Sequence, residues 1–184
     1  MNEARKLEHY TYEDYLEIDR TTQERVELIF GDIYMMAGAS AEHQDTVLNL
    51  AHILKSHAKD SSKNCTPRIA PYDVRFSIDG EISVVQPDVM IFCESGDLPC
   101  AIFEVLSPST AHKDLTVKKD LYERGGVREY FLVNIELRVI EKFILDDGRY
   151  RYDRAYGPEE LLPVTCMDIA IEMDAIFEGI PVSS

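Results

Sequence analysis

Two acidic residues stand where the surrounding pattern calls for apolar ones. In QPDVMIFC, Asp88 shares a strand face with Met90 and Phe92; in AIFEVL, Glu104 shares a face with Ile102 and Leu106. The opposite faces of both stretches are also apolar, as in strands covered on both sides. A carboxylate in such a place is costly unless it is paired, hydrogen-bonded or bound to a cation. Two bare carboxylates ~4 Å apart repel by roughly 4 kcal/mol at an effective dielectric of 20. A hard divalent cation between them reverses that sign, because it takes oxygen ligands. The chemistry such a pair supports is metal-assisted attack by water. The competing reading is structural pairing with a base or with backbone amides.

Lys118 is the third residue of interest. On a helical wheel of LTVKKDLYER, Leu115, Leu121 and Tyr122 define the apolar face, and Lys118 falls among them. Lys119 lies about 100° away. An ammonium aimed at the core needs an anionic partner, and Asp88 and Glu104 are candidates. Alternatively Lys118 snorkels along the sheet to water.

Taken together, Pro87-Asp88, the run Glu104-Val105-Leu106-Ser107-Pro108-Ser109-Thr110, and Lys113-Asp114-Leu115 followed by Lys118 and Tyr122 resemble the PD-(D/E)XK nuclease superfamily. Within it the chain is similar to a bacterial family of restriction-endonuclease-like proteins called Uma-two. VELIFGDIYMM, ASAEHQ, APYDVRF and GVREYFLVN look like that family's landmarks, and the resemblance covers roughly residues 10–145. It implies a restriction endonuclease-like α/β core and Mg²⁺-dependent phosphodiester hydrolysis, with Mn²⁺ as a substitute. Asp88 and Glu104 would be the metal ligands and Lys118 the catalytic lysine. One departure stands out: Leu106 occupies the place of the superfamily's lysine, so that function passes to Lys118 on the following helix. Glu27, out of step with its apolar neighbours, resembles an acidic position of the family. It would be an added metal ligand, a partner for Lys118 or half of a structural ion pair. His43 matches a landmark at the start of a long helix, where it could bind water or phosphate or serve in capping.

These residues need elements to hold them. TYEDYLEI opens with a capping-box pattern, Thr11 with Asp14 three residues on. Gly31-Asp32 splits VELIFGDIYMM into a hairpin. Residues 41–59, preceded by Ser40, carry Val47, Leu50, Ala51, Leu54 and Ala58 at helical spacing. YDVRFSI alternates cleanly up to the Asp79-Gly80 turn signal. Strands follow around Asp88 and Glu104, then a short helix stopping at Gly125, then the strands EYFLVN and RVIEKFIL. The C-terminal strands and the short helix DAIFEG read as peripheral. This order predicts one α/β domain over residues 1–184, a mixed β-sheet flanked by helices.

The 184-residue length suits a single core. A net charge of −15, spread over both halves, repels phosphate backbones at long range. It disfavours nonspecific coating of nucleic acid but permits a local site with a bound cation. Residues 112–128 form a basic island, five cations against three acids. The longest apolar runs fall far short of the ~20 residues of a membrane span, and the N-terminus shows no apolar signal region. A cytoplasmic location and no membrane partner are expected. The cysteines Cys65, Cys93, Cys100 and Cys166 are irregularly spaced, which favours free structural thiols over zinc or disulfides. The expected partner is nucleic acid, DNA foremost, with a homodimer as the default assembly. The rival reading is a non-catalytic binding protein that keeps the nuclease fold.

Overall fold

A computed structural model describes residues 9–36, 38–60, 63–94, 96–107 and 111–181. Residues 1–8, read above as lacking a signal, and Pro108, Ser109 and Thr110 of the motif lie outside the described residues. The chain opens with helix α1 (Tyr12–Thr21). Its capping box forms as the sequence predicts: the Asp14 amide donates to Thr11 Oγ1 at 3.2 Å and the Thr11 amide to Asp14 Oδ2 at 2.8 Å. Strands β1 (Val26–Ile29) and β2 (Asp32–Met35) make the expected hairpin. A second hairpin joins β4 (Val74–Ile78) to β5 (Glu81–Val85). Both turns place two successive residues at positive φ, Phe30-Gly31 and Asp79-Gly80, the backbone twist that suits a two-residue hairpin.

The central sheet has six strands in the order β10-β9-β8-β7-β6-β3. In chain order these are β3 (Cys65–Ile69), β6 (Val89–Cys93), β7 (Ala101–Val105), β8 (Glu129–Asn134), β9 (Val139–Asp146) and β10 (Arg149–Tyr156). All neighbours are antiparallel except β7 and β8, which are parallel. A parallel pair needs a crossover. Here it comprises α3 (Ala111–Lys113), a π-helical stretch (Asp114–Lys118) and α4 (Lys119–Arg124). The β1-β2 and β4-β5 hairpins join into a four-stranded sheet.

Alternation along the central strands sends side chains into two cores. Met90, Phe92, Ile102, Tyr130 and Leu132 face Leu121 and Tyr122 of the crossover and Ile29, Val74, Phe76 and Val85 of the four-stranded sheet. Val89, Ile91, Phe103, Val105, Phe131 and Val133 face Leu50 and Leu54 of helix α2 (Ala41–Asp60). The hairpin of β11 (Leu161–Val164) and β12 (Ile169–Glu172), with α5 (Met173–Ile176), lies against that second face. This corrects the peripheral reading of the C-terminal segment. Leu162, Val164, Met167, Ile171, Ile176 and Phe177 are buried in the larger core; their runs were too short and interrupted to show a period.

Two further expectations change. Leu115 is 45% exposed and does not belong to the apolar face. The π-helical turn has more residues per turn than an α-helix, so the wheel drawn through this segment slips and Leu115 swings outward. The cysteines are not all free: Cys65 is disulfide-bonded to Cys93, while Cys100 and Cys166 are buried free thiols. Antiparallel pairing of β3 with β6 sets Cys65 directly opposite Cys93, a proximity that a separation of 28 residues conceals.

Candidate active site

The antiparallel register of β6 and β7, which pairs Val89 with Phe103, sets Asp88 opposite Glu104 when continued one residue. The two acids therefore meet on one sheet face. The Asp88 amide donates to Glu104 Oε2 at 3.4 Å, and the Val105 amide donates to Asp88 Oδ2 at 2.8 Å.

Lys118 does not snorkel. It is 3% exposed, with Nζ 3.0 Å from Glu104 Oε1, 3.1 Å from Glu27 Oε1 and 3.8 Å from Asp114 Oδ1. Asp114 and Lys118 stand four residues apart on this helical segment, a spacing that puts both on one face. The Tyr122 hydroxyl donates to Glu104 Oε1 at 2.6 Å, and the Tyr130 hydroxyl donates to the Asp114 carbonyl at 2.9 Å. Glu27 reaches in from β1, fully buried. It accepts from Lys113 Nζ at 2.6 Å and from the Gln86 amide at 2.9 Å as well as pairing with Lys118. Its oxygens are thus engaged by two lysines and an amide.

His43 lies in the first turn of α2. The cap is made by Ser40, whose Oγ accepts from the His43 amide at 3.2 Å. That leaves the imidazole to reach the site, where Nε2 is 3.2 Å from Asp88 Oδ2. The buried Nδ1 has no hydrogen-bond partner among the described residues. All five residues singled out from the sequence therefore converge. Sequence reasoning assigned no part to Asp114, Lys113, Tyr122 or Arg25, although the first three stand in the motif that carries the family resemblance.

The electrostatics follow from four carboxylates in little water. Burial pushes the Glu104 carboxyl up to about 8; Lys118 opposes the shift, and Asp88, Asp114 and Glu27 add to it. Burial also raises Asp88 and Glu27, but here the partners win. The hydrogen bond and charge of His43, then Lys118, hold Asp88 below its ordinary value. Lys118 and Lys113 do the same for Glu27. His43 is disfavoured as a cation by burial yet raised on balance by Asp88. Lys118 loses to burial and gains more from Glu104, Glu27, Asp114 and Asp88, so it stays charged.

A cleft of about 50 Å³ opens onto the cluster, lined by Arg25, Met36, His43, Asp88, Glu104 and Lys118 among others. That is the scale of an ion with a few waters and far below a small-molecule pocket. Arg25 is exposed at the cleft and makes no ion pair with the described residues. The basic island contributes less free charge than its composition implies. Lys113 and Lys118 are bound inside, Lys119 Nζ sits 3.7 Å above the Phe143 ring, and Arg124 pairs with Asp79.

Residues 12–174 match the model of the Uma2 family, described as "Putative restriction endonuclease". The chain belongs to this family. The Uma2 match extends well past residue 145, in keeping with the buried C-terminal hairpin. Two uncharacterized proteins of Synechocystis are similar to it. One is 27% identical over 180 residues, covering 91% of each chain; the other is 31% identical over 135 residues, covering 67% of this chain and 74% of the relative. The fold matches a crystal structure described as a putative nuclease belonging to DUF820 from Anabaena variabilis. Its TM-score is 0.71 at 15% identity, covering 91% of this chain and 97% of that one. The Uma2 chain thus has the restriction endonuclease-like α/β core expected from its sequence. No helix among the described residues is long and apolar enough to cross a membrane.

Proposed function

We propose that this Uma2 protein is a cytoplasmic, metal-dependent endonuclease of the PD-(D/E)XK type that hydrolyses phosphodiester bonds in nucleic acid, DNA foremost. The observation that carries the reading is the meeting of Asp88 and Glu104 on one sheet face, with Lys118 on Glu104. The donor set suits Mg²⁺ or Mn²⁺. It is all oxygen, the protein bonds to Asp88 fall on Oδ2, and those of Lys118 and Tyr122 fall on Oε1 of Glu104. Asp88 Oδ1, Glu104 Oε2 and the nearby Val105 carbonyl are the atoms that would hold the ion. Bound there, the ion would polarise the phosphoryl oxygen and acidify a water.

The chain's own residues do the rest. Lys118 keeps its proton and offers positive charge where the phosphate gains negative charge. Glu27 holds Lys118 and Lys113 in place and is a positioning residue, its oxygens being already engaged. His43, once its Asp88 partner is shared with a cation, is free to accept a proton from water through a ring nitrogen. Arg25, exposed at the cleft, meets the incoming phosphate. Cutting both strands of a duplex with one such site per chain calls for two chains, so the reading implies a homodimer on duplex DNA.

The test is Mn²⁺ calorimetry combined with cleavage of single-stranded DNA, duplex DNA and RNA. Wild type should bind Mn²⁺ and cleave; Asp88→Asn should do neither. Mn²⁺ binding without cleavage of any substrate favours the non-catalytic binding protein, which the −15 charge and the internally paired basic island also favour. Equal Mn²⁺ binding by both chains removes the two-carboxylate site.

A further inference from the structure

All four cysteines of the chain meet at one place, far from the acidic cleft. Cys65 starts β3 and Cys93 ends β6, paired across the strands. Cys100 lies in the turn before β7, held by its amide to the Ile91 carbonyl at 2.7 Å. Cys166 sits in a 3₁₀ turn (Thr165–Met167) more than sixty residues later. The sulfurs of Cys93, Cys100 and Cys166 all lie within 4.8 Å of one another, and Cys100 Sγ is 3.4 Å from Cys93 Sγ. The fourth sulfur, Cys65, is bonded to Cys93. Cys93 lies five residues along β6 from Asp88, roughly 16 Å at ~3.3 Å per residue, so the two sites cannot share an ion.

Three sulfurs around one point, with a fourth bonded to one of them, supply the ligand count of a tetrahedral thiolate site, whose sulfurs sit ~2.3 Å from the metal and therefore nearly 4 Å apart. Neighbouring groups fit that use. Arg128 reaches Cys100 and lends positive charge to thiolates. The turn that presents Cys166 is anchored by a buried ion pair that the acidic cleft does not use. Glu129 accepts from the Cys166 amide at 2.7 Å and the Thr165 amide at 3.0 Å, while Lys142 Nζ binds Glu129 at 2.8 Å and the Pro163 carbonyl at 2.8 Å. A desolvated pair is a poor source of stability by itself. Here it fixes the position of a segment carrying a sulfur ligand.

We infer that Cys65, Cys93, Cys100 and Cys166 form a structural site for one soft divalent cation, zinc, in the reduced protein, and that the Cys65–Cys93 disulfide is the metal-free alternative. The exchange balances. The disulfide takes two electrons and two protons from two thiol groups of a small-molecule dithiol, which becomes a disulfide itself. The four protein thiols then bind one Zn²⁺ and release four protons to solvent. In the disulfide form only Cys100 and Cys166 remain, too few to close the shell.

The test uses the full chain, reduced with dithiothreitol and then freed of excess reductant. In Asp88→Asn, whose acidic cleft has lost its ion site, zinc should bind at one equivalent and raise the melting temperature. Cobalt should give a thiolate-to-metal charge-transfer band with the ligand-field bands of tetrahedral sulfur coordination. The disulfide form of that variant should show neither effect. Cys100→Ser should weaken metal retention by about 100-fold or more, while Asp88→Asn should keep the cobalt spectrum unchanged. Absence of the charge-transfer band in the reduced wild type overturns the inference, as does an unaltered spectrum in folded Cys100→Ser. Should that variant fail to fold, the contrast between reduced and disulfide wild type decides alone.

Discussion

At the scale of single residues, the acidic cleft holds its charges by mutual compensation. Lys118 contacts three carboxylates with almost no water nearby. Lys118→Met leaves Glu27, Glu104 and Asp114 without their shared cation, so it should cost about 3–5 kcal/mol, the usual loss for one member of a buried pair. Lys119, stacked on Phe143 at the sheet surface, should lose about 1 kcal/mol or less in Lys119→Met. Urea unfolding of the two variants measures the contrast, and similar losses would show that the buried cluster is not special. Glu104 makes the cleft pH-sensitive. Its carboxyl moves from an ordinary 4.5 to about 8 on folding, so the native state holds an extra proton between those values. Stability should therefore fall as pH rises through that window. His43, also raised, adds a loss in the same direction above its unfolded value. Glu104→Gln should flatten the profile, and Mn²⁺ should bind more tightly as pH rises because the Glu104 proton must leave. A wild-type urea midpoint independent of pH over this range would contradict the assignment.

Among the elements, the crossover between β7 and β8 decides the site. It sets Asp114 beside Lys118, and its π-helical turn swings Leu115 outward. Its end is fixed by Gly125, whose amide donates to the Leu121 carbonyl at 2.8 Å. A Cβ on Gly125 would fall 2.3 Å from the Phe76 ring and 3.0 Å from the Leu121 carbonyl oxygen. Phe76 is buried between the sheets and has little room to yield. Gly125→Ala should therefore cost about 1–3 kcal/mol, and by shifting the crossover it should weaken Mn²⁺ binding although residue 125 touches no ligand. Calorimetry on the folded variant checks this; unchanged affinity would mean that the crossover and the cleft are mechanically independent.

On the scale of the whole molecule, the two cores differ in what they draw on. The one around the cleft closes between the central sheet, the crossover and the four-stranded sheet. The larger core is completed only by the last thirty or so residues, through Leu162, Val164, Met167, Ile171, Ile176 and Phe177. A chain ending after β9 or β10 would expose the β7–β8 face that those residues cover. Such truncations should lack the cooperative thermal transition expected of the full chain, as measured by circular dichroism on both. A sharp transition in a chain ending at Tyr156 would return the C-terminal segment to a peripheral part.

The sequence by itself determined the pieces with local causes. The capping box at Thr11, the two hairpin turns, the apolar stripe of α2 and the two-sided burial of the central strands each follow from neighbours a few residues apart. It also marked Asp88, Glu104, Lys118 and Glu27, because a charged residue in an apolar period is visible without coordinates, and His43 through the family resemblance alone. Only the tertiary structure decided who faces whom. The β6–β7 register sets Asp88 against Glu104, the return of β1 brings Glu27 to Lys118, and Ser40 rather than His43 caps α2. It decided too that Leu115 is exposed, that Cys65 pairs with Cys93 and that all four cysteines converge. Those outcomes depend on contacts between residues tens of positions apart, which no local period encodes, and burial then sets the charges of the groups that those contacts enclose.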